Sequence, residues 1–233
     1  MRLTYRVEEG VRLGSLLWEF GPGWRMISSA ILGGGIGVRE WVLNAQVVAG
    51  YSRMDPVDHL VSLGPGGDGV GMMTAASVDR YVKASDGGVT CYATVGLRVP
   101  TWAAAPEGTE DPELAPIRVG TVNIVTVVPV AMTDAALVNA VMTVTEAKSQ
   151  ALVEAGFQGT GTASDAVCVA VRAEGPEEVF GGPRSEWGAR VARAVHAAVR
   201  RGAEAWRPRD ASEAGEAGEA PALRGQIGDR TTP

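Results

Sequence analysis

The side chains best suited to chemistry lie together in one short stretch, residues 159–170, which reads GTGTASDAVCVA. A hydroxyl close to a carboxylate is the pairing that nucleophilic or general-base chemistry needs, and glycines let a ligand approach the backbone closely. A backbone bend around Gly161 could also present N–H groups to a developing oxyanion. The stretch therefore predicts one wall of a binding or catalytic site, whose candidates are Thr160, Gly161, Thr162, Ser164 and Asp165.

A polar stripe on the preceding helix leads toward this stretch. The apolar spacing of residues 133–155 predicts a long, largely buried helix that begins at a Thr133 cap and ends at Gly156. Spacings of four, three and four residues place four polar side chains on one face of that helix. Exposure to solvent and the lining of a site both explain this stripe, which consists of Asn139, Thr143, Glu146 and Gln150.

Residues that could bind a metal are few and widely separated. The two histidines and two cysteines show no CxxC or HxxxH spacing, so we expect no metal site. Cys91 and Cys168 lie inside apolar, strand-like runs, which is typical of buried, reduced thiols in a cytoplasmic protein. His59 and His196 are interpreted first as packed or surface residues, and a role as a base is the alternative.

The composition narrows the class of protein. The chain has 233 residues, of which 45% are hydrophobic and 21% charged, and these values are ordinary for a globular protein with a sizeable core. A net charge of −6 argues against nucleic acid as the main partner, because phosphate binding needs clustered Lys and Arg. We expect no membrane span, since no run of about 18 apolar residues occurs, and no signal peptide, since the N-terminus turns acidic early.

The order of predicted elements indicates an α+β fold. We expect a single-domain layered sandwich over residues 1–206, with a mixed, mostly antiparallel β-sheet and two long helices. A loop over residues 103–118 is predicted to be a lid or a variable insertion, and residues 207–233 a disordered tail. The predicted strands are 2–7, 11–20, 24–32, 39–48, 70–74, 89–99, 119–130 and 166–173, and the predicted helices are 55–63, 77–83, 133–155 and 185–206.

Polar residues on two of the predicted strands need an explanation. In the strand 39–48 the alternation of side chains places Asn44 and Gln46 on one face, which either solvent or a ligand could occupy. The very apolar strand 119–130 contains a single amide, Asn123. The glycines 33–35 follow another strand and mark a loop that bends sharply or meets a ligand.

Collinear blocks between residues 12 and 202 carry a family resemblance. The most specific blocks are TEAKSQAL, GTGTASDA and GGPRSEWG, and others include ISSAILGGGIG, REWVLNAQV and GTVNIVTVV. Together they resemble the adenosylcobinamide amidohydrolase family of corrinoid salvage. The resemblance implies hydrolysis of the amide between a propionate side chain of the corrin ring and aminopropanol, which yields adenosylcobyric acid and 1-amino-2-propanol. It implies a small-molecule corrinoid as the substrate, no separate cofactor, and leaves open assembly into a homo-oligomer.

On this resemblance, we expect a general base to activate water or a nearby hydroxyl for attack on the side-chain amide. Asp165 or Glu146 would be the base, Thr162 or Ser164 the hydroxyl, and His196 or Lys148 the donor that protonates the leaving amine. The amide groups around the corrin ring need hydrogen-bond partners and close backbone approach. The expected substrate-binding set is Ser29, Gly34, Gly35, Asn44, Gln46, Asn123, Asn139, Thr160 and Gly161.

Two alternatives from other classes remain open. A corrinoid-binding protein without hydrolysis would bind cobinamide but release no aminopropanol. An acyltransferase-like enzyme could use Thr162 as a nucleophile exposed by self-cleavage after Gly161, and this alternative predicts two fragments instead of one 24.2 kDa chain.

Overall fold

The computed structural model describes residues 1–109 and 120–206. Its strands are β1 Arg2–Glu8, β2 Val11–Glu19, β3 Trp24–Ser28, β4 Gly35–Val38, β5 Trp41–Gln46, β6 Gly69–Thr74, β7 Val82–Asp86, β8 Val89–Val95, β9 Val122–Met132, β10 Ala166–Arg172 and β11 Glu177–Glu178. Its helices are α1 Pro56–Leu63, α2 Asp134–Glu154 and α3 Glu186–Trp206, with a 3-10 turn at Val78–Arg80.

The strands form two sheets. The first sheet has the order β1-β2-β5-β6, and the second has the order β4-β3-β10-β9-β8-β7 with β11 beside β9. Most neighbours are antiparallel; β5 pairs in parallel with β6, and β9 pairs in parallel with β10 and β11. The predicted α+β class with mostly antiparallel strands is confirmed, and the strands are divided between two packed sheets.

The molecule is layered, with the two long helices on one side of the second sheet and the first sheet on the other. Apolar side chains from α2 and α3 pack on β8, β9 and β10 to form one core. A second core lies between the sheets and includes Leu16, Val42, Met72 and Cys168. Because β10 (AVCVAVR) lies between these two cores, it is apolar on both faces and almost completely buried.

The long helices begin and end where the sequence predicts. The Thr133 hydroxyl caps α2 by accepting a hydrogen bond from the Ala136 N–H at 3.2 Å, and Gly156 follows the helix with a φ of 81°. Ser185 caps α3 through the Gly188 N–H at 3.1 Å. Together α2 and α3 fix which side chains face the second sheet.

Two predicted helices differ from the structure. Residues 77–83 were expected to be helical, but they form the 3-10 turn and the start of β7, because β7 pairs with β8 across a turn at Gly87 and Gly88. Asp55 does precede α1, but its carboxylate makes no cap bond and instead binds Arg53. The tail expected at 207–233 and most of the loop expected at 103–118 lie outside the described residues, and the division of the chain at residue 206 stays a prediction.

Within residues 1–109 and 120–206, no helix is long and apolar enough to cross a membrane. Cys91 and Cys168 are both buried free thiols, as expected. Burial raises the pKa of each thiol to about 12, so both stay protonated and unreactive in the folded protein.

Candidate active site

A cleft of about 790 Å³, here called the principal cleft, opens where the carboxyl ends of β5 and β6 meet the start of β10. Apolar side chains that include Ile31, Val47 and Met72 form much of its wall. In sheets with parallel strands, ligands commonly bind just beyond the carboxyl ends of those strands. This position is therefore typical of a binding site. The polar side chains that line the principal cleft are Ser29, Tyr51, Thr74, Thr121, Ser164 and Asp165.

At the polar end of the principal cleft, four protein groups donate hydrogen bonds to Asp165. Its Oδ1 accepts hydrogen bonds from the Val122 N–H at 2.8 Å and the Thr162 hydroxyl at 2.5 Å. Its Oδ2 accepts from the Thr162 N–H at 3.1 Å and from the ammonium of Lys148. A carboxylate offers about four lone-pair positions, and these four donors fill them. The side chain of Asp165 is therefore firmly oriented.

Lys148 and Asp165 form a nearly buried ion pair. Only 9% of each side chain is exposed, and α2 brings the ammonium to the carboxylate across 17 residues of chain. Gly161 packs directly on this pair, because an added Cβ would lie 2.2 Å from Asp165 Oδ2 and 2.5 Å from Lys148 Nζ. The glycine between the predicted hydroxyl residues is thus required by close approach of the ion pair.

Hydrogen bonds join the loop before β10, which contains Thr160, to the loop that contains residues 101–103. The Thr160 N–H donates to the Thr101 carbonyl, the Thr101 N–H donates to the Gly161 carbonyl, both at 2.8 Å, and the Thr160 hydroxyl accepts from the Ala103 N–H. These contacts leave Thr160 and Gly161 outside the lining of the principal cleft. Their expected contact with substrate stays a prediction, whereas their contacts to residues 101–103 are structural.

Ser164 brings a hydroxyl to the principal cleft. It is exposed, and its Oγ lies 3.1 Å from Thr121 Oγ1 and donates to the Gly120 carbonyl at 3.3 Å. Ser29 lines the same cleft and accepts a hydrogen bond from the Val167 N–H at the start of β10. Of the residues that the sequence predicts, the structure therefore brings together Ser29, Ser164 and Asp165, with Thr162 in contact behind them.

Asn44 and Asn123 lie between the two sheets and do not line the principal cleft. Asn123 donates to Asn44 Oδ1 at 2.9 Å and to the Met73 carbonyl at 2.7 Å, and its own Oδ1 accepts from the Ala166 N–H. Asn44 donates to Thr94 Oγ1 at 3.0 Å. Both amides are 2% exposed or less and are paired with protein groups. On the polar face expected on β5, Asn44 therefore joins the two sheets, and the expected contact of these amides with substrate stays a prediction.

Three other expected binding residues lie away from the principal cleft. Gln46 accepts a hydrogen bond from the Gly14 N–H on β2, and Gly34 and Gly35 lie exposed at the start of β4. Gly35 has a φ of 78°, which favours glycine for reasons of backbone conformation. In the structure, the glycine loop of residues 33–35 belongs to the turn between β3 and β4.

Glu146 and His196 line a different cleft of about 620 Å³ between α2 and α3, here called the second cleft. They belong to facing sides of the two helices, whereas Lys148 projects from α2 toward Asp165. His196 is paired with Glu154 at 2.8 Å, and Asn139 lies beside Gly182 and lines neither cleft. The catalytic residues that the sequence predicts are therefore divided between the region of the principal cleft and the second cleft. These two clefts have no lining residue in common.

A sequence model of the adenosylcobinamide amidohydrolase family matches residues 2–211 of the chain. The chain belongs to this family. The resemblance expected from the TEAKSQAL, GTGTASDA and GGPRSEWG blocks is confirmed, and the class of enzyme is an amidohydrolase, which acts on a carbon–nitrogen amide bond.

Two relatives carry the same name. The adenosylcobinamide amidohydrolase of Methanosarcina mazei is 28% identical over 187 residues, which are 74% of this chain and 87% of that protein. The adenosylcobinamide amidohydrolase of Halobacterium salinarum is 35% identical over 163 residues, which are 69% of this chain and 64% of that protein.

Three polar members of the principal cleft of this family member are not among the residues that the sequence predicts, namely Tyr51, Thr74 and Thr121. Thr121 directly precedes β9 and contacts Ser164 across 43 residues of chain, so no local pattern indicates it. Tyr51 lies in an irregular segment after β5, and its hydroxyl contacts His59, which sequence reasoning treated as a packed or surface residue. The nearby Asp55-Pro56 helix start was a local signal that α1 would bring His59 toward the preceding segment.

Proposed function

We propose that this chain hydrolyses adenosylcobinamide in the principal cleft, with release of adenosylcobyric acid and 1-amino-2-propanol. The observation that carries the proposal is the polar end of that cleft, where an oriented carboxylate and an exposed hydroxyl meet in a largely apolar wall. Family membership supplies the substrate class, since the relatives are named for adenosylcobinamide. The reaction would place the enzyme in corrinoid salvage, and we propose that it works in the cytoplasm.

The shape of the principal cleft fits a substrate held by one edge. Its volume of about 790 Å³ falls in the range of small-molecule sites, roughly 300–1,000 Å³. A corrinoid is broad, planar and partly apolar, so the apolar wall that contains Ile31 and Val48 would pack against it. The polar end would then receive the amide side chain that is cleaved.

We assign Asp165 the positioning of the attacking water. Its four protein donors fix its direction, but the Thr162 hydroxyl can rotate and free one lone pair of Oδ1 for a water. Lys148 holds the other oxygen, so the carboxylate does not swing away when that hydroxyl turns. Orientation of water and substrate supplies a large part of the rate enhancement in hydrolysis.

Ser164 is suited to bind the carbonyl oxygen of the scissile amide. Its hydroxyl lies on the surface of the principal cleft beside Asp165, and its neighbour Thr121 can accept or donate as the charge on the substrate changes. A hydroxyl that donates to the developing oxyanion stabilises the transition state more than the ground state. Nothing in these contacts requires cleavage of the chain after Gly161.

The test uses two tryptophan variants that fill one cleft each. Ala49 is an exposed residue that lines the principal cleft, and Arg184 is an exposed residue that lines the second cleft. The wild-type chain and A49W and R184W variants are incubated with adenosylcobinamide, and adenosylcobyric acid and aminopropanol are measured by mass spectrometry. We expect product from wild type and R184W, and a loss of at least about 100-fold in A49W.

Other outcomes of the same experiment contradict the proposal in separate ways. Binding of adenosylcobinamide without release of aminopropanol would make the chain a corrinoid-binding protein. Product formation that is lost in R184W and kept in A49W would move the reaction to the second cleft.

A further inference from the structure

A buried histidine near the principal cleft has a hydrogen-bond partner on each ring nitrogen. His59 on α1 is 2% exposed; its Nδ1 lies 3.0 Å from the Tyr51 hydroxyl and its Nε2 lies 2.9 Å from Glu8 Oε1. Glu8 also binds Arg6 at 2.6 Å. The Glu8 carboxylate, the His59 imidazole and the Tyr51 hydroxyl therefore form a continuous series of hydrogen bonds. None of the catalytic roles proposed above involves these three residues.

The partners determine where the protons lie in this chain. Burial by itself raises the pKa of Glu8, but hydrogen bonds from Arg6 and His59 outweigh it and hold that pKa below its usual value. Glu8 is thus an acceptor, so Nε2 of a neutral His59 carries the proton and Nδ1 accepts. It follows that the Tyr51 hydroxyl donates its proton to Nδ1 and keeps its oxygen lone pairs for other partners.

Tyr51 lines the same principal cleft as Asp165 and Ser164. Burial raises the pKa of the phenol, so Tyr51 stays protonated while nothing draws its proton away. The other charged groups around it are Arg6, Glu8, Arg53 and Asp55, and Arg53 and Asp55 bind each other. A hydroxyl bonded to a neutral imidazole that a carboxylate orients is the arrangement by which hydrolases remove a proton from an attacking group.

We propose that Glu8, His59 and Tyr51 form a proton relay that serves the hydrolytic reaction in the principal cleft, with Tyr51 as the catalytic residue and His59 and Glu8 as positioning residues. This inference rests on the proposed function. It supplies the base and the acid that a saturated Asp165 and a distant His196 do not provide.

Each group of the relay regains its starting proton by the end of one turnover. In the first step, water gives a proton to the Tyr51 oxygen as the phenolic proton passes to His59 Nδ1. The water oxygen bonds the amide carbon, and the π pair of the carbonyl bond moves to the carbonyl oxygen. Glu8 stabilises the imidazolium that forms. In the second step, an electron pair of the oxyanion re-forms the carbonyl double bond as the carbon–nitrogen bond breaks with its electron pair on nitrogen. The nitrogen takes a proton from Tyr51, and Nδ1 returns its own to the phenolic oxygen.

The test compares two Tyr→Phe variants that each lose one hydroxyl. Y51F removes the relay hydroxyl, and Y5F removes a hydroxyl that binds Asp79 on the protein surface at 2.7 Å. We expect Y51F to lower kcat by at least about 100-fold with KM within about threefold, and Y5F to retain the wild-type kcat. The melting temperature of each variant shows whether the loss of kcat follows a loss of folding.

A charge-neutralising variant and NMR separate a relay from a merely structural contact. E8Q keeps an acceptor oxygen for His59 Nε2 but loses the charge that stabilises the imidazolium, so we expect kcat to fall by about tenfold with KM within about threefold. In ¹⁵N NMR of the wild-type chain, His59 should carry its proton on Nε2.

The outcomes are distinguishable from those of the proposed function. An active wild type with a Y51F variant that keeps its kcat within threefold, or an E8Q variant that keeps the wild-type kcat, overturns the relay alone. A proton on Nδ1 of His59 also overturns it. A wild-type chain that releases no aminopropanol contradicts the proposed function and, together with it, the place of the relay in that reaction.

Discussion

At the scale of single residues, Asp165 combines a structural role, as half of a nearly buried ion pair, with the catalytic role proposed for it. Its partners come from α2, from the start of β9 and from its own loop, so its position depends on three parts of the chain. An ion pair that is 9% exposed on each side gains strength from the low local dielectric, but each partner alone would be a costly buried charge. Removal of both partners should therefore cost less than the sum of the two single removals.

We predict that D165N and K148M each lower the free energy of unfolding by about 3–5 kcal/mol, and that the double variant loses less than the sum. Urea denaturation measures all three values. Turnover of D165N should fall by at least about 100-fold at a temperature where it is folded. The exposed Glu186–Arg190 pair on α3 is the control, because E186Q should cost less than about 0.5 kcal/mol. Additive losses in the double variant would show that the pair is not coupled.

The sequence indicates the residue types at this site better than it indicates their roles. Asp165 and its hydroxyl neighbours are recognisable because they are adjacent in the chain, and local spacing is what a sequence displays. The sequence suggests Lys148 as a proton donor, but its contact with Asp165 depends on how α2 packs against the rest of the structure. Glu146 differs from Lys148 by two positions on the helix and so faces another side, which places it in the second cleft.

At the scale of elements, the two sheets are joined by a buried network of amides. Asn123 on β9 contacts Asn44 on β5 and the Met73 carbonyl on β6, and it accepts from the N–H of Ala166 at the start of β10. These strands also bound the principal cleft, so the network fixes the distance between its walls. Asn44 and Asn123 are 79 residues apart in the chain, which is why the sequence suggested ligand contact instead.

We predict that N123A lowers the free energy of unfolding by at least about 2 kcal/mol, because it leaves the Asn44 oxygen, the Met73 carbonyl and the Ala166 N–H buried without their partner. Chemical denaturation measures the change. The control is T145A on the exposed face of α2, where loss of a bond to the Val141 carbonyl is offset by better helix propensity. If N123A unfolded at the same urea concentration as wild type, the network would not hold the sheets together.

Element boundaries follow from sequence where local chemistry determines them. The caps at Thr133 and Ser185 and the stop at Gly156 are local, and α2 and α3 agree with the predicted helices to within about two residues. Strand β7 was missed because its side chains have no strong strand pattern, although Gly87 and Gly88 with positive φ mark a hairpin. Pairing with β8, a tertiary contact, decides its structure.

At the scale of the whole molecule, layering explains why the candidates separate. The second sheet stands between the core under α2 and α3 and the core between the sheets, and each of the two clefts opens at a different place on this layered structure. The class α+β follows from the order of elements, but the division of strands between two sheets depends on long-range pairing such as that of β2 with β5. A sequence contains no local sign of such a partner.

Carboxylates that pair with basic side chains at several places on the surface determine how the folding stability depends on pH in acid. Side-chain hydrogen bonds hold the carboxyl pKa below its usual value of 3.8 in Asp55 and Asp86, where the donors are Arg53 and Arg193. Hydrogen bonds from Gln150 and His196 act in the same direction on Glu154, whose usual value is 4.5, and Glu8 behaves likewise against the effect of its burial. Because the folded pKa lies below the unfolded one, the unfolded chain binds more protons in acid.

The stabilisation from these carboxylates is therefore complete above about pH 4.5 and is lost as the pH falls through their folded pKa values. We predict a urea midpoint that is steady between pH 7 and pH 5 and then falls toward pH 3, by a modest amount because most of these pairs are exposed. D86N should lower the midpoint slightly at pH 7 and reduce its acid dependence, since Arg193 then has no carboxylate to release. A midpoint that stays constant from pH 5 to pH 3 would show that these ion pairs contribute nothing to folding.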